Sequence, residues 1–246
     1  MVKNLEHLCF DKDGVLIDVH SYWRHTTEIR AKFLRKKLFL NANDELMLID
    51  AMGINLNTGK IKNNGPIGYH PRSVILEKVE EVLYSLTSKI KPNQIGEYFL
   101  VIDKEQQSKG DFKIDILDGV KDFLLSNVNK YTMTVFTSDR KKNTEYILSQ
   151  LGIKKFFKSI LGGDSVENPK PHPQGINNTC KIVKIKPEKS AYISDTCSDL
   201  IMAENAKLPC KIGVLTGLGT KRDLEIVADL LFKDFYELSE YLNANG

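Results

Sequence analysis

No uninterrupted apolar run in this 246-residue chain approaches the roughly 20 residues that cross a bilayer, so the sequence offers no membrane-spanning helix. The opening Met1-Val-Lys-Asn-Leu-Glu-His7 has no apolar core of the kind a secretory signal carries, which argues against export. Cysteine is scarce. Cys9, Cys180, Cys197 and Cys210 are scattered without a C-x-x-C pair, so neither a disulfide framework nor a zinc knuckle is expected. They read as reduced, small hydrophobes, and the expected compartment is the cytoplasm. Charge of one sign is also scarce: 35 Lys and Arg face 32 Asp and Glu. A net +3 is too small to argue for a nucleic-acid surface. Internal repeats and low-complexity stretches are missing as well.

What remains is an ordinary globular composition, 41% hydrophobic and 27% charged. The length suits one core domain with a sizeable insertion. A short apolar run, Leu5–Phe10, ends abruptly in Asp-Lys-Asp-Gly. From Asp118 onward, strand-like and helical stretches alternate: helix near 119–128, strand Thr132–Thr137, helix near 140–151, strand Ser159–Leu161 and helix near 174–184. Strand Ser190–Ser194, helix near 197–206, strand Lys211–Leu215 and helices near 220–228 and 235–243 complete the series. This rhythm predicts an α/β, Rossmann-like core, a parallel sheet with helices on both faces. Residues 19–115 break it. Tyr22–Leu38, Asn43–Met52, Ser73–Ser88 and Pro92–Lys109 carry apolar residues at helical spacing, with turn signals at Asn57-Thr-Gly59 and Asn63-Asn-Gly-Pro66. The expected organisation is therefore a core of residues 1–18 and 116–246 with a helical cap inserted at 19–115. The whole cationic excess sits in that insertion, 15 Lys and Arg against 12 Asp and Glu, and hints at an anionic small substrate.

Chemistry gathers at the ends of the expected strands, where α/β sheets bind ligands. Asp11 and Asp13 are two apart, so extended backbone points both carboxylates to one side, about 7 Å apart. Gly14 permits the sharp excursion that follows. Thr137 and Ser138 end the second long strand and suit a phosphate oxygen, although a hydroxyl before a helix is often a simple N-cap. Lys170, in Asn168-Pro-Lys-Pro-His-Pro173, is held extended by its prolines, and a rigidly presented ammonium suits an anion. Asp195 and Asp199 follow Ser190–Ser194. Asp195 reads equally as a cap or as a carboxylate for Mg²⁺.

Taken in order, Phe10-Asp-Lys-Asp-Gly-Val-Leu-Ile-Asp18, Val135-Phe-Thr-Ser138, Lys170-Pro-x-Pro173 and Ile193-Ser-Asp-Thr-x-x-Asp199 resemble the four motifs of the haloacid dehalogenase superfamily. The insertion after the first motif resembles the helical-cap, phosphoglycolate-phosphatase-like branch, as does the Gly213–Thr220 tail. The resemblance implies a phosphatase acting on a small phosphorylated metabolite. Asp11 would be the nucleophile and Asp13 the general acid and base. Thr137, Ser138 and Lys170 would hold phosphoryl oxygens. Mg²⁺ would sit on Asp11, the Asp13 backbone carbonyl and Asp195, with Asp199 supporting the site. Two positions depart from the pattern: Ser194 stands where the family has glycine, a tighter fit, and Lys12 stands where an apolar residue is usual.

A sugar-phosphate mutase or a phosphonatase of the same superfamily shares the core chemistry. A dehalogenase would not need Asp13, and a phosphonatase needs a cap lysine that nothing singles out. A receiver domain or a catalytically dead phosphate-binding protein represents another class, but receivers are about half as long and lack the inserted cap. Substrate choice would fall to cap residues such as His20, Trp23, His25, Tyr69, His70 and Arg72, each of which could equally be packing. The sequence carries no signal of oligomeric state.

Overall fold

The computed structural model describes residues 2–70, 72–87, 90–91, 93–109 and 114–245. The chain divides into two compact units, Met1–Val19 with Ile114–Gly246, and His20–Lys113.

The first unit is built on six strands: β1 (His7–Phe10), β2 (Thr132–Phe136), β3 (Phe157–Leu161), β4 (Ser190–Ser194), β5 (Cys210–Val214) and β6 (Leu230–Phe232). They form one parallel sheet in the order β3-β2-β1-β4-β5-β6. Strands this short and apolar are stable only when covered on both faces, and strand alternation shows how. Leu8 and Phe10, Met133 and Val135, and Ala191 and Ile193 enter one core with Phe123 and Phe235. Residues of the alternate register, Cys9, Phe136 and Tyr192, enter a second core with Ile176 and Met202. The first core is closed by helices α6 (Val120–Asn127), α7 (Lys141–Gln150) and α11 (Phe235–Asn245); the second is closed by α8 (Gln174–Val183) and α9 (Cys197–Asn205). Edge-to-face rings fasten the first, with Phe123 centred 6.1 Å from Phe10 and 5.2 Å from Phe235. A sixth helix of this unit, α10 (Lys221–Val227), precedes β6.

The chain runs outward from β1 to β3, then returns to lay β4 on the other side of β1. That reversal opens a crevice at the carboxyl ends of β1 and β4.

The second unit holds most of α1 (Val19–Leu38), then α2 (Ala42–Ala51), a short turn α3 (Pro66–Tyr69), α4 (Arg72–Leu86) and α5 (Gln94–Lys109). Leu34, Leu48, Ile75, Val79, Leu83 and Phe99 are buried at helical spacing. Asn41 and Asp44 form a reciprocal capping box that starts α2, and the Asn55 side chain accepts the amides of Asn57 and Thr58 in the expected turn. Helix α1 begins at Val19, three residues before the expected Tyr22. The expected helix limits at Ser88 and Pro92 lie outside the described residues. No helix among the described residues is long and apolar enough to cross a membrane.

Candidate active site

The ladder between β1 and β4 continues one residue past β1, where the Asp11 amide donates to the Ile193 carbonyl at 2.9 Å. The chain then winds back on itself. The Lys12 carbonyl accepts from Leu16 at 2.8 Å and Ile17 at 3.1 Å, and Gly14 takes a φ of 74° that favours glycine. A Cβ on Gly14 would lie 2.3 Å from Asp195 Oδ2, and one on Gly217 would lie 1.9 Å from the same oxygen. Two glycines, one from each of two loops, therefore clear the space that the Asp195 carboxylate fills.

Lys170 is the hub. Its ammonium donates to Asp11 Oδ1 at 2.7 Å and to Asp199 Oδ2 at 2.6 Å, and lies about 5.5 Å from the Phe136 and Tyr192 ring centres. Upstream of it, Gln174 Oε1 accepts the amides of Glu167 and Asn168 and so ties the loop to the start of α8. Ser194 is fully buried and donates its hydroxyl to Asp199 Oδ2 at 3.0 Å. The residue expected to fit tightly thus acts as the second partner of a buried carboxylate.

Burial pushes the Asp11 carboxyl up to about 7 despite the adjoining Lys170 cation, and Asp199 and Asp13 add to the rise. Burial pulls Lys170 down, but Asp11 and Asp199 outweigh it and hold the ammonium above the ordinary lysine value. Asp195 is raised well above the usual carboxylate range, first by burial and then by Asp11. Its Oδ2 accepts the Leu218 amide at 2.7 Å, while its Oδ1 is buried with no hydrogen-bond partner among the described residues. A buried, unpartnered carboxylate oxygen is costly unless a cation meets it. Among the described residues no three or more His, Cys, Asp or Glu side chains form a ready metal cage. The expected donors, two carboxylates and one backbone carbonyl, suit Mg²⁺, which keeps much of its water.

The structure brings together Asp11, Lys170 and Asp199, and sets Lys12, Asp13 and Asp139 beside one another. Lys12 Nζ lies 2.9 Å from Asp13 Oδ1 and 3.2 Å from Asp139 Oδ2. Thr137 is buried at the end of β2, with its hydroxyl accepting the Asp139 amide at 3.2 Å. Ser138 beside it is exposed. Neither is an N-cap, because α7 is capped by Arg140 without a side-chain bond. Asp195 is not a cap either; Thr196 holds that position for α9.

His20 Nδ1 accepts the Ile61 amide at 3.2 Å, and Tyr69 and His70 are exposed. Trp23 stacks edge-on against Tyr22 and lies 5.9 Å from the Arg30 guanidinium. Arg72 and the buried Arg30 both bind Asp103, at 2.6 and 3.0 Å. The partners missed from sequence are Asp139, Leu218, Gly217 and the Arg30–Asp103 pair; only the glycine-rich run 213–219 offered a signal.

A family model of haloacid dehalogenase-like hydrolases matches residues 71–212, more than half of the chain. The chain belongs to that family. It is 30% identical over 97 residues to the phosphoglycolate phosphatase of Psychrobacter arcticus, covering 39% of this chain and 42% of that one. It is 24% identical over 143 residues to the pyrophosphatase PpaX of Bacillus cereus, covering 56% and 66%. The matches thus span less than two thirds of these relatives' lengths. Among solved structures, a predicted phosphoglycolate phosphatase from Haemophilus somnus superposes with a TM-score of 0.70 at 17% identity, over 98% and 99% of the two chains. A Thermotoga maritima structure with a beta-phosphoglucomutase designation gives 0.71 at 20% identity, over 98% and 100%. At such identities the likeness is one of fold.

Proposed function

We propose that this protein is a Mg²⁺-dependent phosphatase of a small phosphate monoester, working through an aspartyl-phosphate on Asp11. The observation that carries the reading is Lys170 held between the buried carboxylates of Asp11 and Asp199, while Asp195 Oδ1 lacks a hydrogen-bond partner among the described residues. Ionisable groups strongly perturbed by burial and by charged partners gather at functional sites, and a fixed ammonium can neutralise charge on phosphoryl oxygens. Phosphatase relatives support the same reaction class.

In this mechanism Asp11 Oδ attacks phosphorus and the bond to the ester oxygen breaks. Asp13 gives its proton to the departing oxygen, then takes one from the water that hydrolyses the acyl phosphate. Lys170, the Thr137 hydroxyl and Ser138 hold the phosphoryl oxygens. Asp199, which also accepts from Ser194, keeps Lys170 in place. Mg²⁺ on Asp11, Asp195 and the Asp13 carbonyl would supply further charge neutralisation. The helical unit acts as the cap that sets substrate choice. The four free cysteines, three of them buried, fit a reducing cytoplasm.

Release of phosphate from p-nitrophenyl phosphate, followed with and without EDTA, tests the reading. Turnover should vanish on chelation and return with Mg²⁺. Full activity in exhaustively chelated protein would overturn the metal assignment, and no release under any divalent ion would overturn the hydrolase reading itself.

A further inference from the structure

Lys12 lies between the two aspartates of the first motif, yet its side chain takes no part in the mechanism above. It is 1% exposed. A buried ammonium is tolerated only where partners replace its water, and Lys12 meets Asp13 Oδ1 at 2.9 Å and Asp139 Oδ2 at 3.2 Å. Neighbours in extended backbone point to opposite sides, so contact between Lys12 and the very next side chain requires a local bend and an anchor. The bend is the turn closed on the Lys12 carbonyl by Leu16 and Ile17. The anchor is Asp139. Its Oδ1 accepts the Arg140 amide at 2.7 Å and its Oδ2 accepts Asn143 Nδ2 at 2.6 Å, which ties it to the start of α7. The Asp139 amide in turn donates to Thr137 Oγ1. An unbroken polar chain therefore runs from α7 through Asp139 and Lys12 to Asp13.

We propose that Lys12 is a positioning residue, which sets the orientation of the Asp13 carboxylate by tethering it to Asp139. The inference rests on Asp13 being the acid and base of the proposed reaction. The Lys12 side chain acts through Asp13. Misplacing a catalytic group by about 1 Å costs on the order of 100-fold, so loss of the tether should lower turnover with little effect on substrate binding.

The test is a double-mutant cycle on the full chain, with p-nitrophenyl phosphate as substrate and intact-protein mass spectrometry after acid quench to follow phosphoenzyme decay. Lys12→Met should lower kcat about 10–100-fold with KM within about twofold, and phosphoenzyme should accumulate because its hydrolysis needs a placed base. Lys12→Arg, which keeps a cation in reach of both carboxylates, should recover most of the loss. On a background of Asp13→Asn, Lys12→Met should change phosphoenzyme decay less than twofold, because there is then no base to position. Asp139→Asn attacks the tether from its other end and should reproduce the phenotype, which keeps the test valid if Lys12→Met fails to fold. Equal effects of Lys12→Met on both backgrounds would overturn the inference. So would a raised KM at unchanged kcat, which would make Lys12 a substrate ligand. Absence of phosphate release by the wild type would instead overturn the hydrolase reading, and this inference with it.

Discussion

The sheet unit and the helical unit use charge in opposite ways. In the sheet unit the contacts around Lys170 join residues far apart in sequence: it reaches Asp11 across 159 positions and Asp199 across 29, and all three side chains are nearly buried. In the helical unit the pairs are mostly exposed or half-exposed, whether one turn apart, as Arg24 with Glu28 and Lys78 with Glu81, or more distant, as Arg35 with Glu45 and Lys62 with Asp50. Exposed pairs of that kind contribute little, whereas a carboxylate buried beside a lone ammonium is held at high cost. The contrast separates charge that solvates a fold from charge that a site concentrates.

The sharpest way to test that contrast is to remove one charge from the sheet unit. Asp11→Asn should abolish phosphate release and leave no phosphoenzyme, because the attacking oxygen is gone. Asp13→Asn should lower turnover by about 10²–10⁴-fold and should accumulate phosphoenzyme, since the intermediate forms but lacks its base. Mass spectrometry after acid quench distinguishes the two. Added phosphoryl mass in Asp11→Asn would place the nucleophile elsewhere.

A smaller effect is expected at Lys170. Lys170→Ala should cost about 2–4 kcal/mol in kcat/KM, the size typical of a lost preorganised donor. It also leaves Asp11 and Asp199 facing each other without a cation. If kcat/KM falls less than about fivefold in a folded variant, the hub is a structural ion pair and the contrast between the units collapses.

Arg30 is the exception inside the helical unit, a guanidinium only 5% exposed that binds Asp103 and lies 4.5 Å from the Phe99 ring centre. Arg30→Met should lower unfolding free energy in urea by about 2–3 kcal/mol, because Asp103 loses a buried partner although Arg72 remains. Its effect on kcat for p-nitrophenyl phosphate should stay within about threefold. A fall in kcat as large as that of Lys170→Ala would show that this pair belongs to the chemistry.

These differences track what the residue pattern encodes. The strand–helix rhythm after Asp118 and the four motifs predict a parallel sheet with its polar residues at the carboxyl edge, because burial on both faces demands apolar strands and the loops are then free to carry charge. The edge strand β6 escapes notice because Leu230–Phe232 is three residues long and sits between Asp229 and Lys233. The early start of α1 is hidden because its first turn carries no acidic residue. Lys12 looks like a solvated loop lysine until Asp139, 127 positions away, is folded beside it. Leu218 holds Asp195 through a backbone amide, which no side-chain pattern can announce. Arg30 and Asp103 pair across 73 positions for no reason visible locally.

The mildest test concerns a buried titratable group that lies outside the proposed machinery. His7, on β1, is fully buried; its Nδ1 lies 2.9 Å from Ser190 Oγ and its Nε2 lies 2.8 Å from Thr134 Oγ1. Burial lowers its pKa from the ordinary 6.5 to about 4. Between those values the unfolded chain binds the proton and the folded chain does not. Stability from this residue is therefore full above about pH 6.5 and is lost as pH falls towards 4. From pH 7 to pH 5 the loss should be about 2 kcal/mol. Asp11, raised to about 7, and Asp195, also raised, act with the opposite sign, because the folded state takes up their protons first. The wild-type curve mixes these contributions, so the measurement is a difference. Urea unfolding at pH 7 and pH 5 should show wild type losing about 2 kcal/mol more over that interval than His7→Asn, even though the variant is less stable at pH 7. Equal slopes would mean that His7 is protonated inside the fold, with Ser190 and Thr134 both accepting from it. The neutral polar layer beneath the sheet would then be a charged one.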